Sequence, residues 1–282
     1  MRKASPKNRT KMTLEEITAR LEAAGIASPL FDALCLAERF TKKNRAALLA
    51  DRHAPLDADG LEEAVRRRER REPLQYIVGE WDFYGLPFLV DSSCLIPRPD
   101  TELLVEAVIE RLPEGASLLD MCTGSGCVAI AAAKYRPDVT AVGADISDDA
   151  IAAARKNAGL NGVADRVAFT VHDLREPWNA EEKFDAVVAN PPYVTAREME
   201  KVAPELRFEP RIALTDEGDG LSLIRAFVQF AKNTVKKGGL IAVEHGAKQG
   251  DEVKKIFESF GLSPATLPDI EGRPRVTLAE RN

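Results

Sequence analysis

Long apolar runs are missing from this sequence. The longest, Val128–Ala133, is far short of the ~20 residues that cross a bilayer, so no helical membrane span is expected. The amino terminus, MRKASPKNRTK, is basic but has no apolar stretch of the secretory kind. It reads as a frayed cytosolic tail, with an organellar transit segment as the alternative, and the expected location is cytoplasmic. Histidine is scarce, with His53, His172 and His245 scattered. The four cysteines, at 35, 94, 122 and 127, form no Cys-x-x-Cys pair. A metal site is therefore not expected, and reduced thiols are. A basic excess is also lacking, since the net charge is −6. Proteins held by nucleic-acid phosphates usually carry a basic face. The one basic stretch, RRRERR at 66–71, reads as a solvated helix face, with a binding patch as the alternative. No internal repeat or low-complexity tract is present.

The 282 residues suit two domains. Residues 13–72 carry helical spacing and no strand-like alternation. Leu14, Ile17 and Leu21 share one face, and Gly25 stops that helix. Phe31, Leu34, Cys35 and Phe40 form a second face, and Leu61 and Val65 a third. A small helical domain is expected over 1–72. Residues 73–98 gather aromatic and β-branched residues around Gly79, Gly85 and Pro87, which predicts a connecting β-hairpin. Asp100 or Thr101 is placed to cap the following helix.

From residue 116 strands and helices alternate. Strands are predicted at 116–120, 139–145, 166–171, 184–189 and 240–245, and helices at 126–135, 148–160 and 219–237, the last ending at Gly238–Gly239. RPRVTLAERN alternates like an edge strand. This order implies an α/β domain over 99–282, doubly wound, with a mostly parallel sheet.

Asp120 ends the first of these strands, and a loop with Gly124 and Gly126 leads into a helix. Ligands in such sheets bind at the carboxyl ends of strands. Glycines allow close approach, and the helix start offers free amides and partial positive charge. Asp145 ends the next strand, where a carboxylate can accept both hydroxyls of a ribose. Gly124, Gly126 and Ala129 also fit a loose dinucleotide pattern, so the loop alone leaves a nicotinamide-dependent oxidoreductase open, as well as a glycine turn with no ligand. Asp120 tips the balance. It would oppose a pyrophosphate, but it suits the cationic methionyl end of S-adenosylmethionine (AdoMet). Opposite charges near 4 Å attract by about 4 kcal/mol at intermediate dielectric, before desolvation.

A second site follows in VVANPPYV, 187–194. The strand at 184–189 belongs beside the strand of Asp120, so Asn190 would project into the same pocket. Its side chain accepts one hydrogen bond and donates two. Pro191 and Pro192 lock the turn, the Pro191 carbonyl offers a second acceptor, and Tyr193 a flat face. Two acceptors and a π-face suit a planar –NH2 group. Binding both N–H bonds can aim the nitrogen lone pair at a methyl group, so that alignment replaces a strong base. Adenine N6 in DNA or RNA presents such a group too, although that substrate needs a basic cleft. A proline stop with no ligand predicts no preference for Asn and Tyr.

With these residues in place the chain resembles the protein-(glutamine-N5) methyltransferases of peptide chain release factors, the HemK/PrmC family. The resemblance runs over about residues 14–279. It rests on EPLQYIVGEWDFYGLPFLV, LIPRPDTELLVE, LLDMCTGSG, NPPYV, RFEPRIAL, GGLIAVEHG with QG soon after, and RVTLAE. It implies a seven-stranded, Rossmann-like class I methyltransferase domain, AdoMet as cofactor, S-adenosylhomocysteine as product, and release factors as protein substrates docked by the helical domain and hairpin. A monomer is expected, with no membrane and, given the acidic balance and the lack of a large insertion between Tyr193 and Gly238, no bound nucleic acid. The cofactor would meet Asp120, Cys122, Thr123, Gly124, Ser125, Gly126, Asp145, Asp173, Leu174 and Asn190. The glutamine amide would meet Asn190, Pro191, Pro192 and Tyr193, with Asn190, Pro191 and Tyr193 as the catalytic set. Family members often follow the Asp173 position with an aromatic residue, so Leu174 implies apolar rather than stacked contact with adenine. Cys122 stands where the family usually has Gly, and its side chain should crowd the loop or demand a milder backbone angle. Arg98 is expected either to organise the entrance or to serve as a structural ion-pair partner, and ELRFEP at 205–210 by resemblance to lie beside the entrance, with an ordinary exposed loop as the alternative. His245 is read as a core residue rather than a base.

Overall fold

The computed structural model describes residues 11–178, 181 and 183–282. The amino-terminal stretch ahead of Lys11, read above as a frayed tail, lies outside the described residues. The chain divides into two compact units, one reaching to Gly79 and including Ala203–Phe208, the other formed by Glu80–Val202 and Glu209–Asn282.

The first unit is helical: α1 (Leu14–Ala23), α2 (Pro29–Thr41), α3 (Arg45–Ala50), α4 (Leu61–Glu69) and α5 (Leu74–Val78). Helix α1 starts at a capping box in which Thr13 and Glu16 satisfy each other's amides. Leu14, Ile17, Leu21, Leu61 and Val65 are buried as the spacing predicts. Phe31 is not: it is 43% exposed, and the Arg45 guanidinium lies 5.5 Å from its ring centroid. Helix α5 corrects the hairpin reading of its segment, because Pro73 starts a helical turn that Gly79 closes in the left-handed region.

RRRERR turns out to be neutralised. Arg66 pairs with Glu62, Arg67 with Glu72, and Arg70 with Glu63. Arg68 is buried and meets Asp32 at 2.7 Å and Glu205 at 3.1 Å. Arg71 meets Glu205 at 2.8 Å. The stretch is thus neither an open basic patch nor a merely solvated face.

The second unit begins with the hairpin β1 (Glu80–Phe83) and β2 (Leu86–Leu89). Tyr84 and Gly85 both take positive φ in the two-residue turn, as the tightest hairpins require. There follow α6 (Pro99–Arg111), β3 (Ser117–Met121), α7 (Cys127–Tyr135), β4 (Thr140–Asp145), α8 (Asp148–Leu160), β5 (Val167–Val171), β6 (Phe184–Ala189), α9 (Ala196–Met199), α10 (Ser222–Thr234), β7 (Val235–Glu244), α11 (Gly250–Ser259), β8 (Ala265–Pro268) and β9 (Pro274–Glu280). Seven strands form one sheet in the order β5-β4-β3-β6-β7-β9-β8, with β9 antiparallel to both neighbours. The order reverses beside β3, which is the switch point where such sheets bind ligands.

Three further expectations change here. Helix α6 starts at Pro99, whose ring fixes φ for a first helical position, so Thr101 lies inside the helix and neither it nor Asp100 caps it. Helix α10 stops at Thr234, and Val235 already pairs with Phe184 in β7. Gly238 and Gly239 sit in that strand at a register shift, where a Cβ on Gly239 would lie 2.7 Å from the Asp185 carbonyl. Strand β9 is interior, and β8 is the edge. The alternation of β9 hid this, because the polar Thr277 is fully buried and hydrogen-bonded to His245 and Thr266.

Candidate active site

A cavity of about 600 Å³ opens at the carboxyl ends of β3, β4 and β6. The loop after β3 is held from both sides. Thr123 donates its amide to Ala144 at 3.0 Å and its hydroxyl to Asp120 Oδ2 at 2.6 Å. The same oxygen accepts from the Ala129 amide near the start of α7, at 3.3 Å. Asp145 Oδ2 accepts from the Gly124 amide and Oδ1 from the Ser147 amide, both at 3.0 Å. Gly126, at φ 82°, leads into α7. A Cβ there would lie 2.9 Å from Ile130, so the turn has no room for a side chain.

Cys122 reaches φ 56°. The milder backbone angle is therefore not adopted: Cys122 takes the left-handed turn, and its side chain packs against the sheet core. Such a conformation costs a non-glycine residue about 1–2 kcal/mol. Burial raises its thiol pKa, and the nearby Asp145 and Asp120 add to the effect. Burial also pushes Asp120 up to about 7 and raises Asp145. Asp173 is held low by the Arg175 guanidinium, which it meets at 2.6 Å, while Leu174 is buried.

The elbow after β6 is fixed from several directions. Asn190 donates Nδ2 to Thr101 Oγ1 at 3.0 Å. The Tyr193 hydroxyl donates to Glu244 Oε1 at 3.1 Å, and burial raises its pKa. Gln249 donates Nε2 to the Tyr193 carbonyl at 3.1 Å and to Gly220 at 3.2 Å. Gly220, at φ 73°, lets the chain pass so close that a Cβ would lie 2.2 Å from the Tyr193 carbonyl. Of the four elbow residues Asn190 and Pro192 line the cavity, whereas Pro191 is buried and Tyr193 turns its hydroxyl to Glu244. Asp120, Cys122, Thr123, Gly124, Ser125, Asp145, Asp173 and Leu174 line the same cavity.

Arg98 lines the cavity and pairs with Glu209, which also accepts the Ile96 amide at 3.0 Å. Glu209 is buried, and Pro210 lines the cavity, so ELRFEP is no ordinary exposed loop. His245 is fully buried between Thr277 and the Gly246 carbonyl, and burial lowers its pKa, as befits a neutral core residue.

The donor set fits AdoMet. The Asp145 carboxylate at a strand end suits a diol. Exposed Ile146 and buried Leu174, which both line the cavity, suit an adenine face. Asp120, when ionised, suits an ammonium or sulfonium.

Two family models match the chain: Methyltransferase small domain over residues 99–232 and PrmC N-terminal domain over residues 13–79. The release factor glutamine methyltransferase of Neisseria gonorrhoeae is 40% identical over 259 residues, covering 89% of this chain and 93% of the relative. That of Moorella thermoacetica is 38% identical, covering 96% and 98%. The chain belongs to the release factor glutamine methyltransferase family. Among solved structures, a methyltransferase from Pyrococcus furiosus aligns over 70% of this chain and 89% of its own, with a TM-score of 0.52 and 17% identity. The ribosomal protein L11 methylase of Lactobacillus delbrueckii subsp. bulgaricus aligns over 68% and 84%, at 0.50 and 21%. At these identities they speak for the class I fold.

Membership in the release factor glutamine methyltransferases removes the oxidoreductase that the glycine loop left open. Cys122 keeps its interest, since a glycine would meet no penalty at that angle. Thr101 escaped the sequence reading as a contributor to the site, being expected only as a cap, and Glu209 fell within ELRFEP, expected beside the entrance, without a partner assigned to it. The phase of α6 was the available signal: a helix begun at Pro99 turns its third residue inward. Glu209 carried no local signal, because its partners lie 111 and 113 residues away. Among the described residues no group of His, Cys, Asp or Glu could hold a metal, and no helix is long and apolar enough to cross a membrane.

Proposed function

We propose that this protein transfers the methyl group of AdoMet to the N5 side-chain amide nitrogen of the glutamine in the Gly-Gly-Gln loop of peptide chain release factors. One observation carries the reading. Asn190, at the end of β6, opens onto the same cavity as the β3 loop, in a chain whose relatives bear that activity in their names. AdoMet when bound supplies a methyl group on an excellent leaving group.

The chain's own residues supply alignment. Asp145 would hold the ribose, Asp120 the cationic end, and the loop 122–126 the backbone of the cofactor. Asn190 Oδ1 and the Pro191 carbonyl would accept the two N–H bonds of the glutamine amide, while Pro192 and Tyr193 bound the slot. Held that way, the nitrogen lone pair would point at the methyl group, orientation rather than a strong base would lower the barrier, and the attacked nitrogen would become acidic enough to release one of its protons to solvent. The helical unit and the hairpin would dock the release factor, since one glutamine offers too little contact for selection.

The test is incubation with labelled AdoMet and a release factor, beside a version with that glutamine changed to alanine. Equal label in both removes the proposal. Label in duplex DNA instead would move the substrate to adenine N6.

A further inference from the structure

Gln249 opens α11 as its N-cap residue, yet its side chain makes no hydrogen bond to that helix. It reaches the other way, to the elbow after β6. Nε2 donates to the Tyr193 carbonyl at 3.1 Å and to the Gly220 carbonyl at 3.2 Å, and Oε1 accepts the Gly246 amide at 2.8 Å. Two acceptors and one donor thus surround a single amide, and they admit one orientation of it. A flipped amide would set oxygen against two carbonyl oxygens and N–H against N–H. A carboxylate only accepts and an ammonium only donates, so a side-chain amide is the group that serves all three partners. Room for it comes from two glycines. A Cβ on Gly220 would lie 2.7 Å from Nε2, and one on Gly246 would lie 2.9 Å from Oε1.

The peptide group joining Tyr193 to Val194 is gripped at both ends. Its carbonyl takes the Gln249 bond, and its N–H donates to the Leu214 carbonyl at 2.9 Å. The grip matters because of what precedes it. Pro191 and Pro192 carry no N–H, so neither can tie the elbow down by amide donation. Their rings also fix φ, so the stretch from Asn190 moves stiffly with its anchor. A displacement at the Tyr193 carbonyl is therefore carried to the Pro191 carbonyl rather than absorbed between them.

We infer that Gln249 is a positioning residue: its amide clamps the elbow to Gly220 and Gly246, and so fixes where Asn190 and the Pro191 carbonyl meet the substrate amide. This inference rests on the methyl-transfer reading above. Gln249 itself lines no part of the cavity, so contacts with the cofactor do not pass through it.

The test compares wild type with two variants of the full chain. Gln249→Met keeps the length and loses all three hydrogen bonds. Gln249→Glu can still accept the Gly246 amide but sets oxygen against both carbonyls. Each is assayed with a release factor and saturating AdoMet, and calorimetric titration with S-adenosylhomocysteine counts the folded sites. Both variants should show a kcat per site lower by ~10- to 100-fold, the scale of a ~1 Å misplacement. KM for the release factor and affinity for S-adenosylhomocysteine should stay within about twofold, since the lost interaction acts on the reacting geometry. A packing role alone would lower stability and leave kcat per site unchanged. Unchanged kcat per site in either variant, a loss confined to KM, or S-adenosylhomocysteine binding lost in both overturns the inference. Where one variant alone binds, its kcat decides. If wild type does not label the release factor, the methyl-transfer reading falls and takes this inference with it.

Discussion

Asn190 stands where a strand gives way to a cavity, and its amide is the group with the right chemistry to grip another amide. Asn190→Ala should abolish methyl transfer yet leave the affinity for S-adenosylhomocysteine within about twofold; calorimetry beside a turnover assay checks this, and a lost affinity with retained rate would reverse the division of roles. Asp120 adds a pH dependence. Burial raises its carboxyl to about 7, so folding without ligand holds its proton more tightly than the open chain does. Its contribution to stability is therefore full below pH ~4 and is lost as pH rises through about 7. A cation in the cavity prefers the ionised form, so AdoMet affinity should climb with pH up to about 7 and then level off. Affinity that is flat between pH 6 and 8 would separate Asp120 from the cofactor. Cys122 gives the third residue test: because its backbone is left-handed, Cys122→Gly should be more stable than Cys122→Ala by about 1 kcal/mol in urea unfolding.

Elements show where stability and legibility part. Helix α4 buries Arg68 against Asp32 and Glu205. Arg68→Ala should cost about 3 kcal/mol, because buried Asp32 loses its counter-charge while Glu205 keeps only Arg71, and denaturant midpoints report it. The sequence announced α8 and β6 to the residue, since capping residues bound the first and an apolar run broken only by Asp185 makes the second. It concealed α3 and α5, whose six and five residues are too short to show a helical period. It misplaced the end of α10 because paired glycines stop helices and kink strands alike. It gave β9 the look of an edge because buried threonine reads as exposed. At the site, the cofactor loop and Asn190 were visible, being contiguous motifs. Thr101, Glu244 and Glu209 act across sequence separations of 51 to 113 residues, and only folding reveals such partners.

For the molecule as a whole, ligand binding should register in global stability. S-adenosylhomocysteine at 100-fold its Kd should add about 2.7 kcal/mol. NADH at the same concentration should add nothing, and a matching shift from NADH would contradict the assignment of the cavity. The sheet carries one more consequence. Strand β9 follows β8 in sequence but lies between β8 and β7, so during synthesis the far edge of β7 stays unpaired until Pro274–Glu280 has emerged. A message cut short before Pro274 would yield a nascent chain with an open, apolar strand edge, a ready template for aggregation and a natural client for chaperones and proteases.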